Sequence, residues 1–570
     1  MNVFNRASRM LTARQFILLG MLASVACLGY FWMLDRILFS SAFFAPIFRF
    51  LLIGYDAQTA WLSVAVCFLA VAWKGTASIL YLIDWTARKP VWIAAASTVA
   101  IALASTFVYH DYPFSMDEYA AFFQAKIFAA GQLTARLPAS VVDWLVWPHF
   151  NGMFLVASRT TGQAVESYWP GFALLLAPFE FLGAPWLCNP LLAGMAVYLV
   201  YRITLDITGD KRAAGWAMLF TLASSTFLAN AISYYSMQAH LTANLLFAWL
   251  LLTPTSKRAL AAGLVGSLAL LLNNPFPHTL FALPWLAAMA AEKTQRRYLP
   301  AVMLGYLPGI SLGFAWLWLR MNIVATDHGL LARSSGWFTA FTLPGPVLLD
   351  MRAASVAKMW IWAIPCLFLL ALLGYTRYRA HRAVRLLGQS AALTFIGYLF
   401  VGFDQGHGWG YRYFHSAWGT IPVLAACAMA GASAPQPRLI SFVGAASVLS
   451  LVVLVPFQMN QIDRIISQHL AQIPRPQGPG NTVYFLRPYG GFYLGDMIQI
   501  DPLLRDRNLL LASRGPDLDA ALIRENWPDA IMKGHGRWGQ EWYLGDSDQR
   551  RSTNGPDGGK HFLLGFEPIR

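Results

Sequence analysis

Three carboxylates stand close together in Asp111-Tyr-Pro-Phe-Ser115-Met-Asp117-Glu118, directly after a long apolar run. A carboxylate held beside its reacting partner takes a proton from a hydroxyl nucleophile or returns one to a leaving group. Ser115 and Glu118 have the S-x-x-E spacing of a capping box, which explains Glu118 as a helix start without any chemistry. Asp117 has no such explanation and is the candidate acid–base residue. After Glu118, apolar residues recur at 119, 122, 123, 127 and 130, and Gly131 then closes the run. This is the spacing of an amphipathic helix lying at a membrane interface.

A second cluster, Gly406-His407-Gly408-Trp409-Gly410-Tyr411-Arg412-Tyr413-Phe414-His415, sets a guanidinium among aromatics at the mouth of another apolar run. Arg412 there either snorkels to lipid headgroups or grips a phosphate bidentately, and spacing alone leaves both open. Tyr411 and His415 flank it. His240 and His278 stand at polar ends of apolar runs, where polar groups at membrane depth are functional candidates. Lys126, on the interfacial helix, is a candidate anion contact, although snorkelling explains it equally well. No Walker, HExxH or GxSxG motif occurs, and none of the five cysteines forms a CxxC pair. No cofactor is indicated. Asp111, Asp117, His110 and His149 are the residues that would hold a divalent ion, but their spacing does not demand one.

The elements that must position these residues are membrane helices. Of 570 residues, 57% are hydrophobic and 12% are charged; soluble domains carry about 25% charged residues. Several apolar runs approach the ~20 residues that cross a bilayer. The pattern predicts about thirteen spans, among them 59–84, 213–231, 354–375, 416–433 and 438–456. Residues 40–54 and 168–182 are left out as interfacial or re-entrant segments, because Pro and Gly interrupt them. The net charge of +14 is gathered in short loops such as GDKR and AEKTQRR, which is a topogenic pattern and not a nucleic-acid face. Basic loops inside place the N-terminus in the cytoplasm and the carboxylate-, histidine- and tryptophan-rich loops outside.

The predicted organisation is four parts: N-terminal helices 1–109, an outer loop 110–185 carrying the acidic motif, a helical core 186–456, and a C-terminal unit 457–570. The last part turns polar and contains a βαβ pattern, with strand 508–513, helix 517–527 and strand 530–533, and a further strand near 483–486. The expected fold is thus an all-α polytopic membrane protein with a small C-terminal α/β domain outside the membrane.

Three segments carry a family resemblance: MDEYAAFFQAKIFAAGQL (116–133), YWPGFALLLAPFEFLGAPWLCNPLL (168–192) and GYRYFHSAWGTIP (410–422). With the span pattern over residues 110–456, they resemble the GT-C superfamily of membrane glycosyltransferases, in particular the protein O-mannosyltransferase and lipid A aminoarabinose transferase branch. The resemblance implies a polyprenyl-phosphate sugar donor, inversion at the anomeric carbon, and a glycan, lipid or protein acceptor. It places Asp117 at the catalytic carboxylate with Glu118 as a supporting acid. It makes Arg412 the phosphate contact, with His240 and Lys126 as further contacts to sugar or phosphate; Tyr411, His278 and His415 are candidate binding residues from their positions in the sequence. It also implies a cytoplasmic-membrane location with the C-terminal domain periplasmic. Two features depart from the family: extra spans precede the acidic loop, and YWPG replaces the commoner Pro-Pro-Gly turn. A transporter or flippase, or a ligase of lipid-linked saccharides, is the alternative.

Overall fold

The computed structural model describes residues 12–36, 50–327, 341–402, 406–431, 436–474 and 481–545. Among the described residues, six helices are long and apolar enough to cross a bilayer: Ala13–Leu34, Leu52–Ala72, Pro90–Phe107, Pro185–Thr208, Leu299–Ala325 and Pro437–Leu470. Lys211–Leu222 and Ser225–Ile232 are long and apolar enough only when taken together, and they meet at a bend of 62°. The helices turn Leu18, Trp61, Phe68, Trp92, Phe107, Phe314 and Trp318 outward. So much exposed apolar surface is untenable in water and fits a hydrocarbon surround. The chain is a multi-pass membrane protein.

The helical core is more broken than an apolar count suggests. The predicted 59–84 span divides at Trp73-Lys74-Gly75 into Leu52–Ala72 and Thr76–Arg88. The 213–231 span breaks after Leu222, and the Thr226 amide donates instead to the Trp362 carbonyl at 3.0 Å. Broken backbone survives at membrane depth only where protein supplies such partners. The 354–375 span is two helices, Pro346–Ile361 and Leu367–Tyr378, separated at Cys366, whose φ is +71°. The 416–433 span begins as the short helices His415–Trp418 and Thr420–Ala428. The 438–456 span runs on to Leu470 through a π-wound stretch, Ser450–Leu454. Of the two segments left out, 40–54 lies outside the described residues as far as 49, and its end leads into the Leu52–Ala72 helix; the other holds Gly171–Phe181, an 11-residue helix too short to cross alone.

Residues 110–185 build a three-stranded antiparallel sheet in which Gln163–Glu166 lies between Ala135–Arg136 and Leu155–Ala157. At the C-terminus, a four-stranded sheet runs Ile531–Gly536, Gly539–Tyr543, Thr482–Leu486, Asn508–Ala512. Thr482–Leu486 pairs in parallel with Asn508–Ala512, and the strand at 531 sits at the opposite edge, joined through a hairpin. The predicted βαβ strands are therefore not neighbours. The 110–185 segment and the C-terminal unit share one core: Met116, Tyr119, Phe123, Leu145 and Phe154 pack with Val483, Phe485, Ile500, Leu522 and Trp527. The C-terminal sheet is thereby seated against the Met116–Ala129 helix.

A glycine stripe draws two of the helices together. Ser256–Leu271 and Leu299–Ala325 approach so closely that a Cβ on Gly305 would lie 2.7 Å from the Gly263 Cα and 2.6 Å from the Leu260 carbonyl oxygen. Ser267 Oγ bridges the pair, donating to the Gly305 carbonyl and accepting from the Gly309 amide, each at 2.8 Å. Small residues at every fourth position let membrane helices meet backbone to backbone. One turn on, Gly313 leaves room for the Trp169 ring, which a Cβ would meet at 2.1 Å. Gly305→Leu should therefore part the two helices. The expected result is a large loss of monodisperse protein on size-exclusion chromatography, with Gly29→Leu, where nothing lies within 4 Å of the Cβ position, behaving as wild type.

Candidate functional site

The Met116–Ala129 helix begins with the predicted capping box, and Ser115 is its N-cap. Asp117, in the first turn, points its carboxylate into the space between the outer loop and the helical core. Its Oδ1 accepts from the Tyr168 hydroxyl at 2.5 Å, and its Oδ2 lies 3.2 Å from Arg412 Nη1. The guanidinium is buried and stacks over the Tyr235 ring at 4.2 Å. Residues 295 positions apart in the chain thus meet in one cavity. It is lined by Phe114, Asp117, Tyr235, Trp409, Arg412 and Tyr493, among others.

Arg412 is presented by a small hairpin, His407–Gly408 pairing with Gly410–Tyr411, in which Gly410 turns the chain at φ +70°. A side chain on Gly408 would meet Arg412 Nε at 2.9 Å, so the glycine keeps the guanidinium's space open. The hairpin is tied to the acidic helix through a relay. Trp409 Nε1 donates to the Tyr109 hydroxyl at 3.0 Å, and that hydroxyl donates to Glu118 Oε1 at 2.8 Å.

Glu118 turns away from the cavity. It is fully buried and also accepts from the Ser115 amide and hydroxyl, each at 3.1 Å, and from the Tyr234 amide at 2.9 Å. Burial pushes its carboxyl up to about 7, and these donors only partly offset the rise. The geometry makes Glu118 the residue that holds helix, hairpin and Tyr234 together.

The other predicted residues lie outside this cavity. His278 bridges Asn244 Oδ1 at 2.6 Å and the Tyr306 hydroxyl at 2.7 Å. His415 Nε2 lies 3.4 Å from Gln238 Oε1, and Asn244 Nδ2 donates to the Ser416 carbonyl at 2.9 Å. Together these groups form a buried polar network behind the Arg412 turn. His240 is buried beside the Leu272 backbone. Tyr411 packs near Arg352 and stacks edgewise on Tyr413. Lys126 sits over the Phe122 ring, 4.7 Å from its centre. The residues that would have held a divalent ion do not converge: His110 pairs with Asp463, Asp111 with Tyr234, and His149 stacks on Trp147.

Further contributors stand out only in the structure. Asp496, buried in the C-terminal unit, accepts from the Met116 amide at 2.7 Å, one residue from Asp117. Nearby, Tyr119 Oη donates to the Ile500 carbonyl and accepts from its amide, at 2.6 and 2.8 Å. Tyr493, at φ +55°, closes the cavity from the same side. Opposite, Trp316 Nε1 donates to the Tyr168 carbonyl at 2.7 Å and Arg320 donates to the Ser167 carbonyl, so the glycine-striped helix positions Tyr168.

No family model matches this chain, and no curated protein matches it in sequence. Among solved structures it is similar to ArnT from Cupriavidus metallidurans, crystallised bound to undecaprenyl phosphate and in the apo state. The TM-scores are 0.49 and 0.45, with 12% identity over 80% of this chain and 98% of that one. The functional case rests on the side chains of the site and not on these likenesses.

Proposed function

We propose that this chain is a glycosyltransferase of the GT-C kind, working at the outer face of the cytoplasmic membrane and moving a sugar from a polyprenyl-phosphate carrier to a hydroxyl acceptor with inversion. The observation that carries this reading is the meeting of Asp117 and Arg412 at 3.2 Å in one partly buried cavity. In the proposed step the acceptor oxygen attacks the anomeric carbon and its proton passes to Asp117. The bond from that carbon to the carrier phosphate breaks, and the phosphate leaves with the electron pair. Negative charge thus grows on the phosphate oxygens, where a pre-placed guanidinium stabilises it most strongly in a water-poor site. Tyr168 keeps the carboxylate aimed while Arg412 is shared between carboxylate and phosphate.

One observation favours a second reading, movement of a lipid-linked saccharide across the bilayer. Asp56 and Lys358 form a buried ion pair at 2.8 Å beside a smaller cavity that shares Leu51, Gly408 and Trp409 with the first. Buried ionisable pairs within the helical core are expected of transporters.

Profiling envelope glycans and lipid-linked sugars in a deletion strain separates the two. The transferase reading expects one sugar to vanish from a glycan while its lipid-linked donor accumulates on the outer face. Accumulation on the cytoplasmic face, or an unchanged glycan profile, would overturn it.

A further inference from the structure

A second cavity shares Asp117 and Tyr235 with the Arg412 cavity but does not include the arginine. Its walls are largely aromatic, from Tyr168, Trp169, Phe172 and Tyr235, and its polar groups include Glu166, Ser236 and Asn273. Glu166 closes the central strand of the outer sheet; it is 1% exposed, and its Oε1 has no hydrogen-bond partner within the protein. Its backbone is fixed by Gln124, whose Oε1 accepts from the Glu166 amide at 3.1 Å. The carboxyl is thus held in place yet left without a partner.

Burial with no counter-ion pushes the Glu166 carboxyl well above the usual carboxylate range. Leaving such a group unpaired costs stability. A ligand hydroxyl entering the cavity would supply the missing partner.

Resting on the transferase reading above, we propose that this second cavity is the acceptor site, and that Glu166 hydrogen-bonds an uncharged, hydroxyl-bearing ring such as a sugar residue. The aromatic walls would face the apolar faces of that ring, and Ser236 and Asn273 would meet its other hydroxyls. Few convergent polar groups in an apolar pocket fix the orientation of a small ligand. The acceptor oxygen to be glycosylated then lies at Asp117, between this cavity and the one holding the phosphate.

The test uses the full-length chain with two variants. Glu166→Gln keeps a neutral donor and acceptor; Glu166→Leu removes both but fills the apolar wall. Glu166→Leu should retain or raise Tm and bind undecaprenyl phosphate as wild type does, while glycan product in complemented deletion cells falls by roughly tenfold to a hundredfold. Glu166→Gln should restore most of the product. Full product from Glu166→Leu would overturn the proposal, as would loss of undecaprenyl phosphate binding in that variant. A wild-type protein that neither binds undecaprenyl phosphate nor alters any glycan would instead sink the transferase reading itself.

Discussion

Asp117→Asn is expected to stop sugar transfer while leaving a folded protein that binds undecaprenyl phosphate at least as well as wild type. Asparagine keeps the shape, and its carbonyl oxygen still accepts from the Tyr168 hydroxyl, so the helix start and the Tyr168 contact survive. What it cannot do is accept the acceptor's proton. Removing general-base assistance costs typically 10²- to 10⁴-fold, and glycan product in complemented cells should fall within that range. The binding result follows from the ion pair. In the resting site the Arg412 guanidinium is partly spent on Asp117. With a neutral amide in that place the guanidinium is released to the carrier phosphate, and affinity should hold or rise by a few-fold. Transfer by Asp117→Asn within threefold of wild type would remove the carboxylate from the mechanism.

What could be read from the chain divides along the range of the interactions involved. The Ser115–Glu118 box is local, four residues of backbone chemistry, and it forms as the spacing predicts. The Met116–Ala129 helix and the strands near 483 and 508 follow from short-range periodicity in the same way. The helix breaks at 73–75 and after Leu222 were not legible, because the apolar run continues across them and the backbone partner, such as Trp362, lies far along the chain. The end of the Pro437–Leu470 helix was missed because QMNQIDRIISQHL changes from an apolar to an amphipathic pattern, which resembles a domain boundary in composition but not in backbone.

The site shows the same division. Asp117 and Arg412 stood out by residue type, and their partnership came from resemblance, since nothing in either segment encodes a contact 295 positions away. Asp496 and Glu166 had no such flag: each is a single acid in an ordinary loop or strand. Their importance arises only from burial, which removes water, ties Asp496 to the Met116 amide and the Tyr493 side chain, and leaves Glu166 Oε1 with no partner. The histidines erred in the opposite direction. His278 and His415 looked like ligand contacts because polar groups are rare at membrane depth, yet their ring nitrogens reach Asn244, Tyr306 and Gln238. Polar residues in an apolar surround must find partners, and other buried side chains satisfy that need as well as a substrate does.

Arg412→Ala should abolish undecaprenyl phosphate binding more completely than any other single change in the cavity. A charged hydrogen-bond donor contributes about 1.5–3 kcal/mol, which corresponds to roughly 10- to 150-fold in affinity. The alanine also leaves Asp117 without its counter-charge, in the place where a second anion has to bind. Like charges brought together in a partly buried cavity repel strongly, so the loss should lie at the upper end of that range. Arg412→Lys distinguishes charge from geometry. A lysine restores the positive charge but cannot form a planar fork, and it loses the flat stack over Tyr235, seen here at 4.2 Å. Its affinity should fall between alanine and wild type, with transfer recovering less than binding, because aligning the leaving phosphate requires two parallel donors. The decisive control is the double variant Asp117→Asn/Arg412→Ala. If Asp117 repulsion adds to the defect of Arg412→Ala, the double variant will bind undecaprenyl phosphate more tightly than Arg412→Ala alone. Equal affinities in the two would mean that the carboxylate and the phosphate never share the guanidinium.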